Sequence, residues 1–464
     1  MNSAATVLPL ELWIRILIHV VEPEGSIESN DWPSYDGQRP TPLKLATISR
    51  SWRQLVLACS DMWTGLSYAI LNHSVARGGL AGVQAWLARS GTRPISLEFT
   101  CHCDEPQVLN AFLEVFYPHF PRLSALHIGM WCVRGDILPI PRVDMPLCWL
   151  VHTNFSDEDY AAWFTPFFMN DLPALRALKM REYTASTSSH MPVERHISNL
   201  THLDAVSKSF QMRPVDLLRG CPRLVNCRLY FRLGHNDNSN ETSDMPFTLP
   251  HLRTLWIQLK ANSSWSDVFA HATFPVLEEM TLVGSMWPIP TFAPFLKRSR
   301  CPLRDLLVLQ CNISAIDAIA ALSAVSETLE MFHFGASGSN GLPGFNDTLL
   351  DALDPQLQDV LVPRLRSLKI VSFSSLETTD GRFLNMVRAR MTSTKTVPFE
   401  HIVLLCGSAE LMKPNFHELD FDGLSMLEEQ YPGLAVTLYP DALTRQQARN
   451  GPGTDHENSE EEFP

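Results

Sequence analysis

Two hydrophobic periods run along the chain, and one gives way to the other near residue 66. Leu12, Ile16, Leu17 and Val20 fall at offsets of 4, 5 and 8, one stripe of a helix over residues 8–21. Pro9 suits the first turn, where its missing N–H costs nothing, and Glu11 complements the helix dipole there. Leu45, Ile48, Trp52, Leu55 and Cys59 then recur at steps of 3, 4, 3 and 4, which predicts a long helix over 43–59. Thr41 reads as its N-cap, with Pro42 at the first helical position. Between the two stripes, Pro23, Gly25, Pro33, Gly37, Pro40 and Pro42 mark residues 22–42 as a loop. Past Trp63 the period drops to two. Leu66, Tyr68 and Ile70 alternate as a strand, a helix fits Val75 to Ser90 with Gly91 as its stop, and Ile95, Leu97 and Phe99 alternate again.

From there the pattern repeats. The unit is L-x-x-L-x-L, often with Pro two residues ahead, as in PRLSALHI from Pro121, PALRALKM from Pro173 and PRLRSLKI from Pro363. Its first apolar positions are 123, 147, 175, 200, 224, 252, 277, 303, 329, 365, 399 and 434, with gaps of 24, 28, 25, 24, 28, 25, 26, 26, 36, 34 and 35. The first eight gaps fall within the range of a leucine-rich repeat, whose short strands bury their apolar side only by stacking. The unit at Leu303 reads L-x-x-L-x-V-x-x-C-x-I through Cys311 and Ile313, and the other copies lack that Cys or Asn. Returns between units include ISAIDAIAALSAV after Cys311, a helix with Ile316, Ile319, Ala320 and Ser323 near one face.

The ordered set Leu8, Pro9, Glu11, Leu12, Ile16, Leu17, Leu45, Ile48, Trp52, Leu55 and Trp63 resembles the F-box. The chain departs from that family in its long polar insert and in Ser49, where Cys is common. The resemblance implies that these eleven residues contact, or support contact with, the Skp adaptor of a cullin-type ubiquitin ligase. It implies a protein substrate held downstream, no bond chemistry in the chain itself, and a cytoplasmic or nuclear location. Two short helices with wide apolar faces bury little alone, which fits a surface lent to a partner.

The expected fold class is therefore α/β: an N-terminal all-helical F-box followed by an irregular leucine-rich-repeat-like solenoid, a curved sheet with outer helices. The expected domains are 1–70 with its insert at 22–42, then 71–440 for substrate, then a polar, acidic and disordered tail at 441–464.

Composition narrows the function. Hydrophobic content of 45% and charged content of 19% describe a chain able to build a core. The net charge is 37 − 50 = −13, five of those negatives (Asp455, Glu457, Glu460, Glu461 and Glu462) lying in the tail, which argues against nucleic acid as a partner. No apolar run is long enough to span a bilayer, and the start carries no basic, cleavable leader, so neither membrane insertion nor secretion is expected. The ten cysteines form no C-x-x-C and read as reduced thiols; seven Asn-x-Ser/Thr matches then read as chance.

No cofactor or catalytic motif is present: no G-x-S-x-G, Walker loop, H-E-x-x-H or G-x-G-x-x-G. Cys101-His102-Cys103-Asp104 is dense in metal-type ligands, but neighbours on a strand point to opposite faces, so no metal site is expected. For the substrate, strand positions between the core leucines supply Lys179, Arg181, Arg228, Tyr230 and Trp256, a cationic and aromatic set suited to an acidic or phosphorylated peptide. Two rival readings are a leucine-rich scaffold whose N-terminal helices are merely a sealed cap, and a hydrolase with a perturbed His beside Ser or Cys.

Overall fold

The structure, a computed structural model, describes residues 12–13, 15–16, 42–70, 73–101, 106–131, 147–153, 174–182, 198–207, 214–231, 245–259, 266–284, 287, 290–335, 342–357, 360–371, 376–406 and 417–440. The chain divides into two compact units, Met1–Arg213 and Pro214–Pro464.

In the first unit, α1 (Pro42–Leu45) and α2 (Arg50–Ala58) lead through a 3-10 turn, Ser60–Trp63, into β1 (Gly65–Ile70). Next come α3 (His73–Arg89), β2 (Ile95–Cys101), α4 (Pro106–Phe116) and β3 (Leu123–Trp131). Three more strands follow: β4 (Leu147–Thr153), β5 (Ala177–Glu182) and β6 (His202–Ser207). All six strands are parallel and pair in chain order.

The second unit opens with α5 (Pro214–Arg219) and β7 (Asn226–Phe231). Its main strands continue as β9 (Thr254–Leu259), β11 (Glu279–Gly284), β12 (Asp305–Leu309), β13 (Met331–Gly335), β15 (Ser367–Val371), β17 (His401–Cys406) and β18 (Ala435–Pro440). They too are parallel and neighbours in chain order. The crossovers carry α6 (Ser266–His271), α7 (Phe292–Ser299), α8 (Ala315–Ala324), α9 (Asp347–Leu353), α10 (Arg382–Thr392) and α11 (Glu418–Gln430). Short ladders of β8 (Phe247–Thr248) with β10 (Ala272–Thr273), and of β14 (Leu342–Asn346) with β16 (Leu376–Glu377), brace those returns.

The expected fold class is corrected by this architecture. The chain is α/β on large parallel sheets in two units, rather than a free-standing all-helical F-box followed by one curved leucine-rich solenoid. The N-terminal helices are continuous with a sheet: β1, which they feed, pairs with β2 along its whole length. The spacing of leucines marks where strands lie but carries no information on how the returns pack. Parallel neighbours demand crossovers, and those crossovers decide the architecture.

Why the repeat positions matter is visible in the second unit. Leu224, Leu252, Leu277, Leu303, Leu329, Leu365 and Phe399 are all buried, and the strand starts two residues after each. At five of the seven corners a proline stands one or two residues ahead, and the residue before it is buried as well (Cys221, Leu249, Phe274, Cys301 and Val362), so those corners are pinned by two apolar anchors around a fixed φ. Between corner and strand stands a charged ridge of Arg253, Glu278, Arg304, Glu330, Arg366 and Glu400. Each of the last five donates its N–H to the preceding ridge carbonyl at 2.8 Å.

Helix α8 corrects a second expectation. Ile316 is exposed, and Ala315, Ala318, Ala321 and Leu322 face inward. Small residues on the inner side let a helix approach its neighbours closely, so the bulkier Ile lies outside.

Candidate docking face and sheet surface

The N-terminal helices present two opposite sides. Inward, Leu45, Ala46, Val56, Met62 and Trp63 form a closed cluster, with Trp52, Leu55, Cys59 and Trp86 against it. The Trp63 indole donates to Val56 O at 2.9 Å, meets Trp86 edge-on at 4.8 Å and lies under Arg89, so the helices are anchored to α3. Outward, Leu12 (43% exposed), Ile16 (44%) and Ile48 (58%) face solvent, joined by Leu43 and Leu57. Trp13 packs edge-on against Trp52 at 5.8 Å, which ties the segment containing Leu12 and Ile16 to α2.

The sequence pattern predicted one helix over 43–59; the structure breaks it. Residues 46–48 form a turn, and Ser49 is the N-cap of α2, its Oγ accepting from Trp52 N at 3.2 Å. Serine competes for backbone N–H groups and so starts helices better than it continues them. The break shifts the helical phase, so Leu45 is buried and Ile48, three residues on, is exposed. Of the eleven residues in the expected adaptor set, Leu8, Pro9, Glu11 and Leu17 lie outside the described residues. Leu12, Ile16 and Ile48 are outward, Leu45 and Trp63 are core, and Trp52 and Leu55 are half-buried between them. The sequence reading missed Leu43 and Leu57; their signal was that they are apolar yet lie off the stripe.

The expected substrate residues separate. In the first unit Lys179 Nζ lies 3.7 Å from Asp204 Oδ2, and Arg181 pairs through its backbone with Val151 and Val206. In the second unit Arg228, Tyr230 and Trp256 do come together. Arg228 stands directly opposite Trp256 in register, its guanidinium carbon 4.5 Å from the ring, and Tyr230 stacks on the same indole at 6.5 Å. Farther along the same side of the sheet, Asp305 lies opposite Glu279. Burial, then Glu279 and Glu330, push its carboxyl up to about 6 against the opposing pull of Arg304. His333, opposite Lys369, is held down at about 4 by burial and then by that lysine, and so is neutral.

His127 Nδ1 meets Glu98 Oε1 at 3.1 Å, an oriented imidazole. Burial drives the Cys221 and Cys311 thiols up to about 12 and Cys301 to about 11, which keeps them protonated and unreactive. Asp380, His417 and Asp420 hold metal-type ligand atoms within 4.8 Å of one another, a grouping the sequence did not suggest. Their oxygens are engaged as helix caps. Asp420 accepts from Leu384 N in the first turn of α10, and Asp380 accepts from Leu419 N and Asp420 N in the first turn of α11. Of the dense Cys101–Asp104 stretch only Cys101 is described, buried on β2.

No known family model and no curated protein matches this chain. Among the described residues no helix is long and apolar enough to cross a membrane.

Proposed function

We propose that this chain is the substrate-receptor subunit of a Skp–cullin–F-box ubiquitin ligase, with its N-terminal helices docking the Skp adaptor and its sheet surface holding a protein client. The observation that carries this reading is the outward placement of Leu12, Ile16 and Ile48 above an inner core that is already complete. A cap sealed by its own chain would cover those side chains. Covering each half-exposed Leu or Ile contributes about 1 kcal/mol, so five of them supply a useful fraction of a stable interface. In this role the chain breaks no bonds; it raises the local concentration of a client lysine near a ubiquitin-charged enzyme held elsewhere on the ligase. The reading places it in the cytoplasm or nucleus, where that machinery works.

The test is capture of the full-length chain by a purified Skp adaptor. Leu12→Asp/Ile48→Asp is expected to weaken capture at least about tenfold while leaving the melting curve unchanged, because both side chains are exposed. Equal capture of variant and wild type would refute the docking face.

A further inference from the structure

Among the described residues β18 is the last strand of the second unit's sheet, so β17 pairs with one of its sides and no described strand pairs with the other. Ala435 donates its N–H to Glu400 O at 2.8 Å, on the β17 side. Backbone groups alternate in direction along a strand. The N–H and C=O of Thr437 and Tyr439 therefore follow Ala435 toward β17, while those of Val436 and Leu438, and the carbonyl of Pro440, point the other way. Such a row of outward groups is a template on which another strand can pair.

This edge is blunted at two of its three outward positions. Pro440 has no N–H to offer. The Val436 N–H is taken by Glu428 on α11, whose Oε1 accepts it at 3.0 Å. Leu438 holds the third outward N–H. Glu428 stands where a helix least favours it. The last turn of α11 carries Glu428 and Glu429 and no cation, although the dipole there favours positive charge. The hydrogen bond to Val436, charge-assisted because its acceptor is a carboxylate, offsets that mismatch. A side chain that breaks the rule of its own helix to meet one backbone donor on a neighbouring strand is placed for that donor.

We propose that Glu428 guards the outer edge of β18, and that the partner it holds off is a second copy of this chain. Two β18 edges related by a two-fold axis run antiparallel and are self-complementary, each offering N–H groups where the other offers carbonyls. With Glu428 in place, an approaching edge must first break the bond to Val436, and the carboxylate itself lies across the line of pairing. Without it, Val436 and Leu438 together present two donors in register, enough to start a ladder. The inference concerns the second unit alone and does not depend on the adaptor reading.

The experiment follows the mass of the full-length chain by sedimentation from about 1 μM to about 100 μM, together with hydrogen exchange of the Val436 amide. Wild type and Glu428→Gln, whose amide oxygen still accepts from Val436, are expected to stay monomeric throughout. Glu428→Ala is expected to dimerise within that range. Its Val436 amide is expected to exchange at least about tenfold faster than in wild type at the lowest concentration, and to slow again as the dimer forms. Adding Val436→Pro to Glu428→Ala removes the uncovered donor and is expected to restore the monomer. Glu428 is exposed, and matched melting curves for its single variants exclude unfolding as the cause. A monomeric Glu428→Ala chain, or one whose Val436 amide exchanges as slowly as wild type, would overturn the guard. So would dimerisation of wild type or of Glu428→Gln to the same extent, or a Glu428→Ala dimer that survives Val436→Pro.

Discussion

The N-terminal helices and the crossover helices of the second unit are built from similar amphipathic material, yet they use it in opposite directions. Helix α7 turns Phe292, Phe295 and Leu296 inward, where the two phenylalanine rings meet Phe269 and Phe274, and leaves Lys297 exposed. The N-terminal helices complete a small core with Trp63 and Val56 and still show Leu12, Ile16 and Ile48 to solvent. A hydrophobic stripe therefore states that burial is needed without stating by whom. Two of the crossover helices are drawn in further by arginines that reach main-chain carbonyls of other segments. Arg298 on α7 donates to Phe269 O and Ala272 O, and Arg390 on α10 donates to Leu353 O, Leu361 O and Val362 O.

The contrast is broken most sharply at Arg390. This side chain is fully buried, lies over the Phe399 ring, and holds Val362, a β-branched residue at φ 48°. Arg390→Ala removes three hydrogen bonds to main-chain carbonyls and releases a strained backbone, and is expected to cost about 3–6 kcal/mol in urea unfolding. A loss below about 1 kcal/mol would mean that the crossover helices hold without these links. Next in size is a paired substitution that sets the two regions side by side. Leu365→Ala, at a buried corner, is expected to cost about 2–4 kcal/mol, and Ile48→Ala less than about 0.5 kcal/mol in the isolated chain. Comparable losses at both positions would erase the distinction.

The smallest effect concerns Asp305 on the half-exposed side of the second sheet. Its carboxyl is raised from an ordinary 3.8 to about 6, so ionising it in the folded state is unfavourable. The stability it contributes is fully present at low pH and is lost as pH rises between those two values. Asp305→Asn is expected to raise Tm by about 1–3 °C near pH 7.5 and to make no difference near pH 4. A gain that persists in acid would point to packing rather than to Glu279 and Glu330.

Much of the strand inventory was legible, because a period of two, as at Leu255 and Ile257 or Leu368 and Ile370, arises when alternate side chains of an extended backbone are buried, and a helix cannot produce it. The helical phase was harder to read. A hydroxyl at Ser49 was enough to break a stripe and move Ile48 outward. Architecture was read wrongly because leucine spacing is silent on the returns, and those returns hold the features that organise the second unit: Arg390, Asp380 and the alanine side of α8. The candidate docking face was half visible. Leu12, Ile16 and Ile48 stood in the pattern, but Leu43 and Leu57 needed coordinates, and so did the assignment of Leu45 and Trp63 to the inner core.

The charged ridge of the second unit has a consequence for how such a chain can grow or shrink. Arg253, Glu278, Arg304, Glu330, Arg366 and Glu400 alternate in sign, with Arg253–Glu278 and Arg366–Glu400 in ion-pair contact. Excising a single turn of the array would set arginine against arginine or glutamate against glutamate, whereas excising two in succession would restore the alternation. Gene duplications and losses within this stretch should be tolerated in even numbers.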